Sequence, residues 1–269
     1  MECAFYKYHG TGNDFIIIDD RSLKFDYDED SIAKICNRRF GVGADGLILL
    51  RNSEPFNFRM IYFNSDGKEG TMCGNGGRCV VAFAKFLGII EEKAHFIAID
   101  GEHQAEVLKS NEYDSTIKLK MQDVSDVDFS NEEFFINTGS PHHVKFVEDI
   151  KNVNVFDEGK KIRFGKNYKK IGGTNVNFVQ KDNKNLIVRT YERGVEDETL
   201  SCGTGVTASA LAAALKFNSE NYFYIKTLGG DLKVSFKKSG NSFTNIWLEG
   251  PAKLVFKGGI ILWKGKIFY

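Results

Sequence analysis

Two cysteines in this sequence stand directly before a glycine-rich bend that leads into an apolar stretch. Cys73 opens the run Cys-Gly-Asn-Gly-Gly-Arg, and residues 79–87 after it predict a helix with almost no polar face. Cys202 opens the run Cys-Gly-Thr-Gly, before the uncharged residues 206–215. A thiol at a helix N-terminus lies beside unpaired backbone N–H groups and the positive end of the helix dipole, which favours the thiolate. Both cysteines are therefore candidates for acid/base or nucleophilic chemistry.

The two bends are 129 residues apart, and the same offset relates other positions along the chain. The pairs at this offset are Gly74 and Gly203, Gly76 and Gly205, Ala84 and Ala213, Gly101 and Gly230, Ile117 and Ile246, and Leu119 and Leu248. We interpret the pattern as two copies of one unit, in which strands lead to a cysteine bend, a buried helix, a strand, a hairpin and a further strand.

Upstream of the bends, the sequence predicts that this register breaks, because an additional helix and loop occupy residues 28–46. The pair Gly12-Asn13 before one predicted strand nevertheless resembles Thr174-Asn175 before another.

A helix that is apolar on all sides is buried on all sides. The sequence therefore predicts an α/β (α+β) fold of two pseudo-symmetric domains, each a curled mixed β-sheet or barrel around a central buried helix. Two core helices packed on open sheets are the alternative. We place the domains at 1–122 and 123–254, with 255–269 packing back on the first, and a polar linker at 122–131.

Composition excludes several classes of protein. Among 269 residues, Lys plus Arg and Asp plus Glu both number 36, and this balance argues against a nucleic-acid binder. The chain has neither a signal-like N-terminus nor a run approaching the roughly 20 apolar residues of a membrane span. We expect a cytoplasmic protein with free thiols, of which Cys3, Cys36 and Cys79 belong to the core.

Two thiols, one from each copy, suit the inversion of a stereocentre through a carbanion. One group removes a proton from one face of a carbon while the other delivers a proton to the opposite face. An unperturbed thiol has a pKa of about 8.5, which helix N-termini lower toward neutral pH. The backbone N–H groups after each cysteine would bind a carboxylate beside the reacting carbon.

Other interpretations of the cysteines remain open at this point. They include a structural disulfide, metal ligation together with His142 or His143, a dinucleotide fingerprint at Gly203-x-Gly205-x-x-Ala208, and a cysteine hydrolase. The metal interpretation is weakened because adjacent histidines in a strand point to opposite faces. A non-catalytic protein that binds a dicarboxylic amino acid is the alternative outside enzymology.

At these motifs the sequence resembles the diaminopimelate epimerase family over essentially its whole length. The matching segments are 10–15 (Gly-Thr-Gly-Asn-Asp-Phe), 41–46, 64–67, 72–78, 191–194 and 201–205. The resemblance implies an isomerase of amino-acid biosynthesis, independent of pyridoxal phosphate and of metal, that interconverts LL- and meso-diaminopimelate for lysine and peptidoglycan synthesis. It also implies a small-molecule substrate, no cofactor and a homodimer.

The resemblance assigns roles to individual positions. Cys73 and Cys202 are implied to be the two catalytic bases. The implied substrate-binding residues are Asn13, Asn64, Gly74, Asn75, Asn175, Glu192, Arg193, Gly203 and Thr204, and the supporting residues are His142 and Ser140. The chain departs from the family pattern twice, with Ser140 where many members have Asn and Gly46 where many have Gln.

Overall fold

The computed structural model describes residues 2–125, 127–130, 133–183, 185–218, 221–263 and 266–267. Contacts within the chain divide it into two compact units. The first unit comprises Met1–Leu119 and Pro251–Tyr269, and the second unit comprises Lys120–Gly250. Within the described part of the chain, no helix is long and apolar enough to cross a membrane.

The first half of the chain builds most of the first unit. Its strands are β1 (Glu2–Gly10), β2 (Asn13–Asp19), β3 (Gly46–Arg51), β4 (Phe58–Asn64), β5 (Glu69–Gly70), β6 (Lys93–Ala98), β7 (Gly101–Ser110) and β8 (Asp114–Lys120), and its helices are α1 (Glu29–Cys36) and α2 (Gly74–Phe86). The pairs β1–β2, β3–β4, β6–β7 and β7–β8 are antiparallel, whereas β2–β3 and β4–β6 are parallel.

The second half repeats this order of elements. Its strands are β9 (Asp128–Ser130), β10 (Glu133–Asn137), β11 (Pro141–Phe146), β12 (Asn175–Asp182), β13 (Asn185–Glu192), β14 (Asp197–Thr199), β15 (Tyr222–Thr227), β16 (Gly230–Ser239), β17 (Ser242–Trp263) and β18 (Lys266–Ile267), and its helices are α3 (Val155–Arg163) and α4 (Gly203–Lys216). The pairs β10–β11, β12–β13, β15–β16 and β16–β17 are antiparallel, whereas β11–β12 and β13–β15 are parallel.

In each unit, the strands curl around one helix. In the first unit, the last part of β17 pairs with β1 from His9–Lys253 to Glu2–Ile261, and β17 also pairs with β8, so that the sheet closes into a ring. Helix α2 contacts β1, β2, β3 and β7, and its residues 74–84 are all buried. In the second unit, α4 contacts strands β10–β13, β15 and β16. These enclosures confirm the predicted fold class, and the alternative of open sheets is wrong.

The internal duplication is confirmed in detail downstream of the bends. An offset of 129 converts the bounds of β6 into those of β15, the bounds of β7 into those of β16, and the first residue of α2 into that of α4. Both predicted hairpins form with the same register, since Ala98 pairs with Gly101 and Thr227 pairs with Gly230.

The predicted break in register upstream is confirmed, since β2 and β11 begin 128 residues apart, but its predicted cause, an additional helix in the first half, is wrong, because both units carry a helix between their first two parallel strands. After these helices the offset returns to 129, since β3 and β12 begin at Gly46 and Asn175. The likeness of Gly12-Asn13 to Thr174-Asn175 is therefore not an equivalence, since Asn13 opens β2, whose counterpart is β11. A parallel pair needs a crossover of a dozen or more residues, and each crossover contains its own helix, α1 or α3.

The predicted linker at 122–131 contains paired and buried residues. Val124 exchanges backbone hydrogen bonds of 2.8 and 2.7 Å with Phe243, Val127 is buried, and β9 pairs with β10. Asp126 and Asn131 lie outside the described residues. Although the segment is polar overall, its two valines are buried, and its backbone pairs with strands on both sides.

Helix α3 approaches the sheet of the second unit closely at a glycine. A Cβ atom at Gly159 would lie 2.4 Å from the Cβ of Tyr191, which is itself buried in β13. Replacing Gly159 with Ala is expected to lower the free energy of unfolding by about 1–3 kcal/mol, because the helix would be pushed off the strand. Urea denaturation measures the change. Lys161→Ala, at an exposed position of the same helix, is the control, and equal midpoints for the two variants would contradict the prediction.

Candidate active site

Cys73 is the N-cap residue of α2, where the sequence predicted a helix start. Its backbone is extended, with φ −100° and ψ 148°, and its sulfur accepts a hydrogen bond from the Gly76 N–H at 3.2 Å. The side chain is partly exposed. One of the first N–H groups of the helix is thus directed at the sulfur, where it stabilises negative charge.

A fully buried arginine lies one turn further along the same helix. The Arg78 guanidinium donates to the carbonyls of Gly74 at 3.0 Å and Pro251 at 3.3 Å, and to Thr11 Oγ1 at 3.3 Å and Asn75 Oδ1 at 3.0 Å. All four acceptors are neutral. Burial lowers the pKa of Arg78 to about 10, so the side chain remains charged at neutral pH. A positive charge is therefore held inside the protein near Cys73.

Two of the predicted substrate-binding residues in the first unit contact each other. Asn75 is the second residue of α2, and its Nδ2 donates to Asn13 Oδ1, at the start of β2, at 3.2 Å. Asn64, at the end of β4, is exposed and accepts a hydrogen bond from the Tyr62 hydroxyl at 3.0 Å. The structure thus joins Asn13 to Asn75, whereas Asn64 is held by a different partner.

Cys202 is the N-cap residue of α4 and occupies the equivalent place in the second unit. Its side chain is 7% exposed, and its sulfur lies 3.4 Å from Thr204 Oγ1. A hydroxyl group therefore replaces the backbone N–H that contacts the sulfur of Cys73.

His142 connects Thr204 to the interior of the second unit. Its Nδ1 accepts from Asn177 Nδ2 at 3.1 Å, so the neutral ring carries its proton on Nε2. From there it reaches Thr204 Oγ1 at 2.8 Å and Ser140 Oγ at 2.9 Å. Burial, with a smaller contribution from Arg193, lowers the pKa of His142 to about 3. The ring is therefore a neutral hydrogen-bond donor at neutral pH.

His143 points away from this cluster, as expected for a neighbouring residue in a strand. Its Nδ1 lies 2.7 Å from the Tyr168 hydroxyl. Among the described residues, no three His, Cys, Asp or Glu side chains are grouped as metal ligands would be.

Asn175 contacts two further predicted residues of the second unit, Ser140 and Arg193, whereas Glu192 accepts a hydrogen bond from the Thr199 hydroxyl at 2.8 Å. Its Nδ2 donates to Ser140 Oγ at 3.3 Å and to the Pro141 carbonyl at 3.0 Å, while its Oδ1 accepts the Arg193 backbone N–H at 2.8 Å. Ser140 Oγ also lies 3.2 Å from Thr204 Oγ1. Ser140, one of the two departures from the family pattern, is thus part of the cluster around Cys202.

Gly46, the other departure, lies where β3 meets β4. A Cβ atom there would lie 2.5 Å from the Phe63 carbonyl oxygen and 2.5 Å from the Tyr62 ring. Real Cβ atoms essentially never come so close, and one of these contacts is with backbone. A larger residue at position 46 would therefore require the strand pair to shift.

The remaining cysteines differ from Cys73 and Cys202 in their surroundings. Burial raises the pKa of Cys36 to about 12 and also raises that of Cys79, which is fully buried. Cys3 is partly exposed, and burial raises its pKa as well. Thiols of this kind stay protonated at neutral pH and are poor bases or nucleophiles.

Sequence reasoning assigned no role to several residues of these clusters. Arg78 was visible only as part of a motif, although a charged residue entering an apolar helix is a signal in itself. Asn177 and Asn175 are two residues apart in β12 and therefore share one face of the strand. That spacing would have placed Asn177 beside the site.

Comparison with known proteins places the chain among isomerases. The sequence profile of the diaminopimelate epimerase family matches residues 5–125 and 134–255. The diaminopimelate epimerase of Flavobacterium psychrophilum is 54% identical over 256 residues, covering 94% of this chain and 98% of that protein. The enzyme of the same name from Chlorobaculum tepidum is 42% identical over 263 residues, covering 94% and 99%.

Solved structures share the two-unit architecture at low sequence identity. A PhzF-family phenazine biosynthesis protein from Bacillus anthracis aligns with a TM-score of 0.75 at 16% identity, covering 97% of this chain and all of the other. A hydroxyproline epimerase from Agrobacterium vitis aligns with a TM-score of 0.70 at 14% identity, covering 96% and 92%. The architecture is therefore that of a wider group of proteins that includes epimerases. Within that group, the chain belongs to the diaminopimelate epimerase family.

The burial of neutral His142 predicts a dependence of stability on pH. A histidine in the unfolded chain titrates near 6.5, whereas His142 in the folded protein titrates near 3. The unfolded state therefore binds more protons than the folded state between these two pH values. The stability that the neutral His142 gives the folded protein is complete above pH 6.5 and is lost as the pH falls from 6.5 toward 3. Between pH 7.5 and pH 5, the free energy of unfolding of the His142→Gln variant should therefore fall by about 2 kcal/mol less than that of the wild type.

Urea denaturation at the two pH values measures the difference. Other groups with shifted pKa are common to both proteins and cancel in the comparison. An equal fall in the free energy of unfolding of variant and wild type would show that His142 is not held neutral by the fold.

Proposed function

We propose that this protein interconverts LL- and meso-diaminopimelate, with Cys73 and Cys202 as the two acid/base groups. The observation that carries the proposal is the duplicated cysteine, which stands at the N-cap of the enclosed helix in both units. The family of the chain and its relatives of that name support the substrate.

In the proposed reaction, one thiolate removes the proton from the stereogenic carbon and becomes a thiol. The electron pair of the broken C–H bond stays on a carbon next to a carboxylate. The other thiol then gives its proton to the opposite face and becomes a thiolate. The two thiols have exchanged protonation states, so the same pair runs the reverse reaction. The scheme requires one thiol on each face of the substrate carbon.

The helix starts would stabilise the carbanion. Its negative charge spreads onto the adjacent carboxylate, which we place on the backbone N–H groups at Gly74-Asn75 and Gly203-Thr204. Donors fixed at helix N-termini need no reorganisation when charge develops, which is why such groups lower barriers. All proton transfers in this scheme are made by side chains, and we assign no cofactor and no metal.

The remaining residues would hold the rest of the substrate. We assign Asn13, Asn64, Asn175, Glu192 and Arg193 to the distal amino and carboxylate groups, since a guanidinium fork matches a carboxylate and a carboxylate matches an ammonium. His142 and Ser140 contact Thr204 within hydrogen-bonding distance, and we propose that they hold Thr204 against Cys202.

Solvent deuterium uptake tests the proposal. Wild-type protein in D2O should exchange the α-proton of LL-diaminopimelate and yield the meso isomer, with proline and hydroxyproline unreactive. Replacing either Cys73 or Cys202 with Ala should lower the epimerisation rate by about 10³-fold or more, the scale of general acid/base catalysis.

Cys3→Ala is the matched control, because it removes a partly exposed thiol of the first unit that the scheme does not use. Its rate should equal that of the wild type. If the Cys202→Ala variant still equilibrated both isomers, a two-base reaction would be untenable.

We also propose a cytoplasmic homodimer that binds neither nucleic acid nor membrane. Strand β17 carries exposed apolar side chains at Val255, Phe256 and Ile261, which suit association with a second copy. Light scattering coupled to gel filtration should give twice the 30.3 kDa chain mass. Phe256→Lys should shift the protein toward the monomer, and a monomeric wild type would refute the assembly.

A further inference from the structure

We propose that Arg78 and Asp45 are positioning residues that fix, from opposite ends, the orientation of the Asn75 and Asn13 side-chain amides. The four side chains form one line of hydrogen bonds in the first unit. The inference rests on the proposed function, because it takes Asn13 and the start of α2 to be substrate contacts. Neither Arg78 nor Asp45 enters the acid/base scheme.

At one end, the chemistry of arginine determines how Asn75 is turned. A guanidinium donates hydrogen bonds and cannot accept them, so the atom of Asn75 that lies 3.0 Å from Arg78 must be the oxygen. The Thr11 hydroxyl also donates to this oxygen, at 3.5 Å. The nitrogen of Asn75 is consequently directed toward Asn13. Asn75 is 4% exposed and Arg78 is fully buried, so water does not compete for these positions.

At the other end, the chemistry of a carboxylate determines how Asn13 is turned. Asp45 Oδ2 lies 2.7 Å from the Asn13 amide and only accepts, so the atom facing it must be Nδ2. The oxygen of Asn13 then faces Asn75, whose nitrogen donates to it at 3.2 Å. Arg78 and Asp45 therefore favour the same pair of amide orientations. Rotating either amide by half a turn would place two donors or two acceptors against each other.

Asp45 is itself held in place. Its Oδ1 accepts from Arg38 at 2.7 Å, and Arg38 also binds both oxygens of Asp14. The Asp45 backbone N–H donates to the Asp14 side chain at 3.1 Å, and the Asp14 backbone N–H donates to Asp45 at 3.3 Å. Lys7 completes the group through an ion pair with Asp14 at 2.7 Å. An exposed carboxylate is thus given a fixed position by its neighbours.

The consequence is that Asn13 offers a donor. Its Nδ2 gives one hydrogen to Asp45, and the other hydrogen has no acceptor among the described residues. A donor in this place suits a carboxylate oxygen of the substrate, whereas a rotated amide would present an oxygen and repel it.

In the described part of the second unit, no arginine occupies the buried end of an equivalent line. The residue 129 positions after Arg78 is Thr207, whose hydroxyl donates to the Gly203 carbonyl at 2.9 Å, as Arg78 donates to Gly74. The shared contact maintains the helix start in both units. What Arg78 adds is a charge and further donors that reach Asn75, so its role extends beyond the helix itself.

The test combines Asp45→Ala with Asn13→Ala in steady-state assays of diaminopimelate epimerisation. Without Asp45, the Asn13 side chain must be ordered when substrate binds, so KM should rise about three- to tenfold, while kcat stays within about twofold. Asp45→Asn keeps an acceptor for Asn13 and should restore KM to within about twofold of wild type. In the Asn13→Ala background, Asp45→Ala should have no further effect on KM.

Electrostatics alone predicts the opposite sign, since removing a negative charge near a dicarboxylate substrate should lower KM. Asp26→Ala, at an exposed position of the same unit, is the matched control and should leave KM unchanged. A KM for Asp45→Ala that is unchanged or lowered, or effects of Asp45→Ala and Asn13→Ala that simply add, would overturn the inference. Inactivity of the wild type toward diaminopimelate would instead refute the proposed function.

The buried end is tested in the same way with Arg78→Lys. A lysine keeps the charge but does not reach all four acceptors, so KM should rise and the rise should again disappear in the Asn13→Ala background. Circular dichroism and the thermal midpoint establish that the variant is folded. If Arg78→Lys is folded and its effect adds to that of Asn13→Ala, Arg78 does not act through this line; if it is unfolded, the Asp45 series decides.

Discussion

An α-helix that has no polar face must be covered on every side, and this requirement determines where polar chemistry is possible in the fold. Helices α2 and α4 are enclosed along their length, so the backbone polar groups that each leaves unpaired lie at its ends. The N-terminal end carries unpaired N–H groups and partial positive charge. Cys73 and Cys202 are the residues placed there. The enclosure that stabilises each unit therefore also places a thiol beside the unpaired N–H groups of a helix start.

Duplication provides two equivalent positions, and the side chains around them make the two thiols different. The sulfur of Cys73 contacts the Gly76 N–H, and a buried arginine lies close by. The sulfur of Cys202 contacts the Thr204 hydroxyl, which is held by a neutral histidine. Two identical surroundings would give two thiols of equal acidity. Different surroundings suit a pair in which one member is charged while the other is not.

The parts of the fold that could be predicted from sequence are those that one local pattern determines. An uncharged run requires an enclosed helix, the glycines before it mark its start, and Asp100-Gly101 marks a hairpin. The correspondence of the two units upstream of the bends was missed because the crossovers that contain α1 and α3 are equivalent in topology but dissimilar in sequence. The polar composition of 122–131 concealed the burial of Val124 and Val127.

The same distinction between local and distant patterns applies to the candidate site. The cysteines stand next to the features that identify them, so their positions could be read from neighbouring residues. The roles of Arg78, Asp45 and Asn177 depend on partners far away in sequence, such as Asn13 with Asp45 or His142 with Asn177. A hydrogen bond between residues more than thirty positions apart leaves no local pattern. Its donors and acceptors become evident only once the strands are paired.

Strand β17 constrains the order in which the chain can fold. The ring of the first unit is completed by residues between Lys253 and Ile261, close to the end of the sequence. During synthesis, the edge of β1 that pairs with β17 therefore has no partner until these residues have been made. The second unit, made entirely of residues 120–250, has all of its strands before the first unit does. The half of the protein that is translated first is thus the half that is finished last.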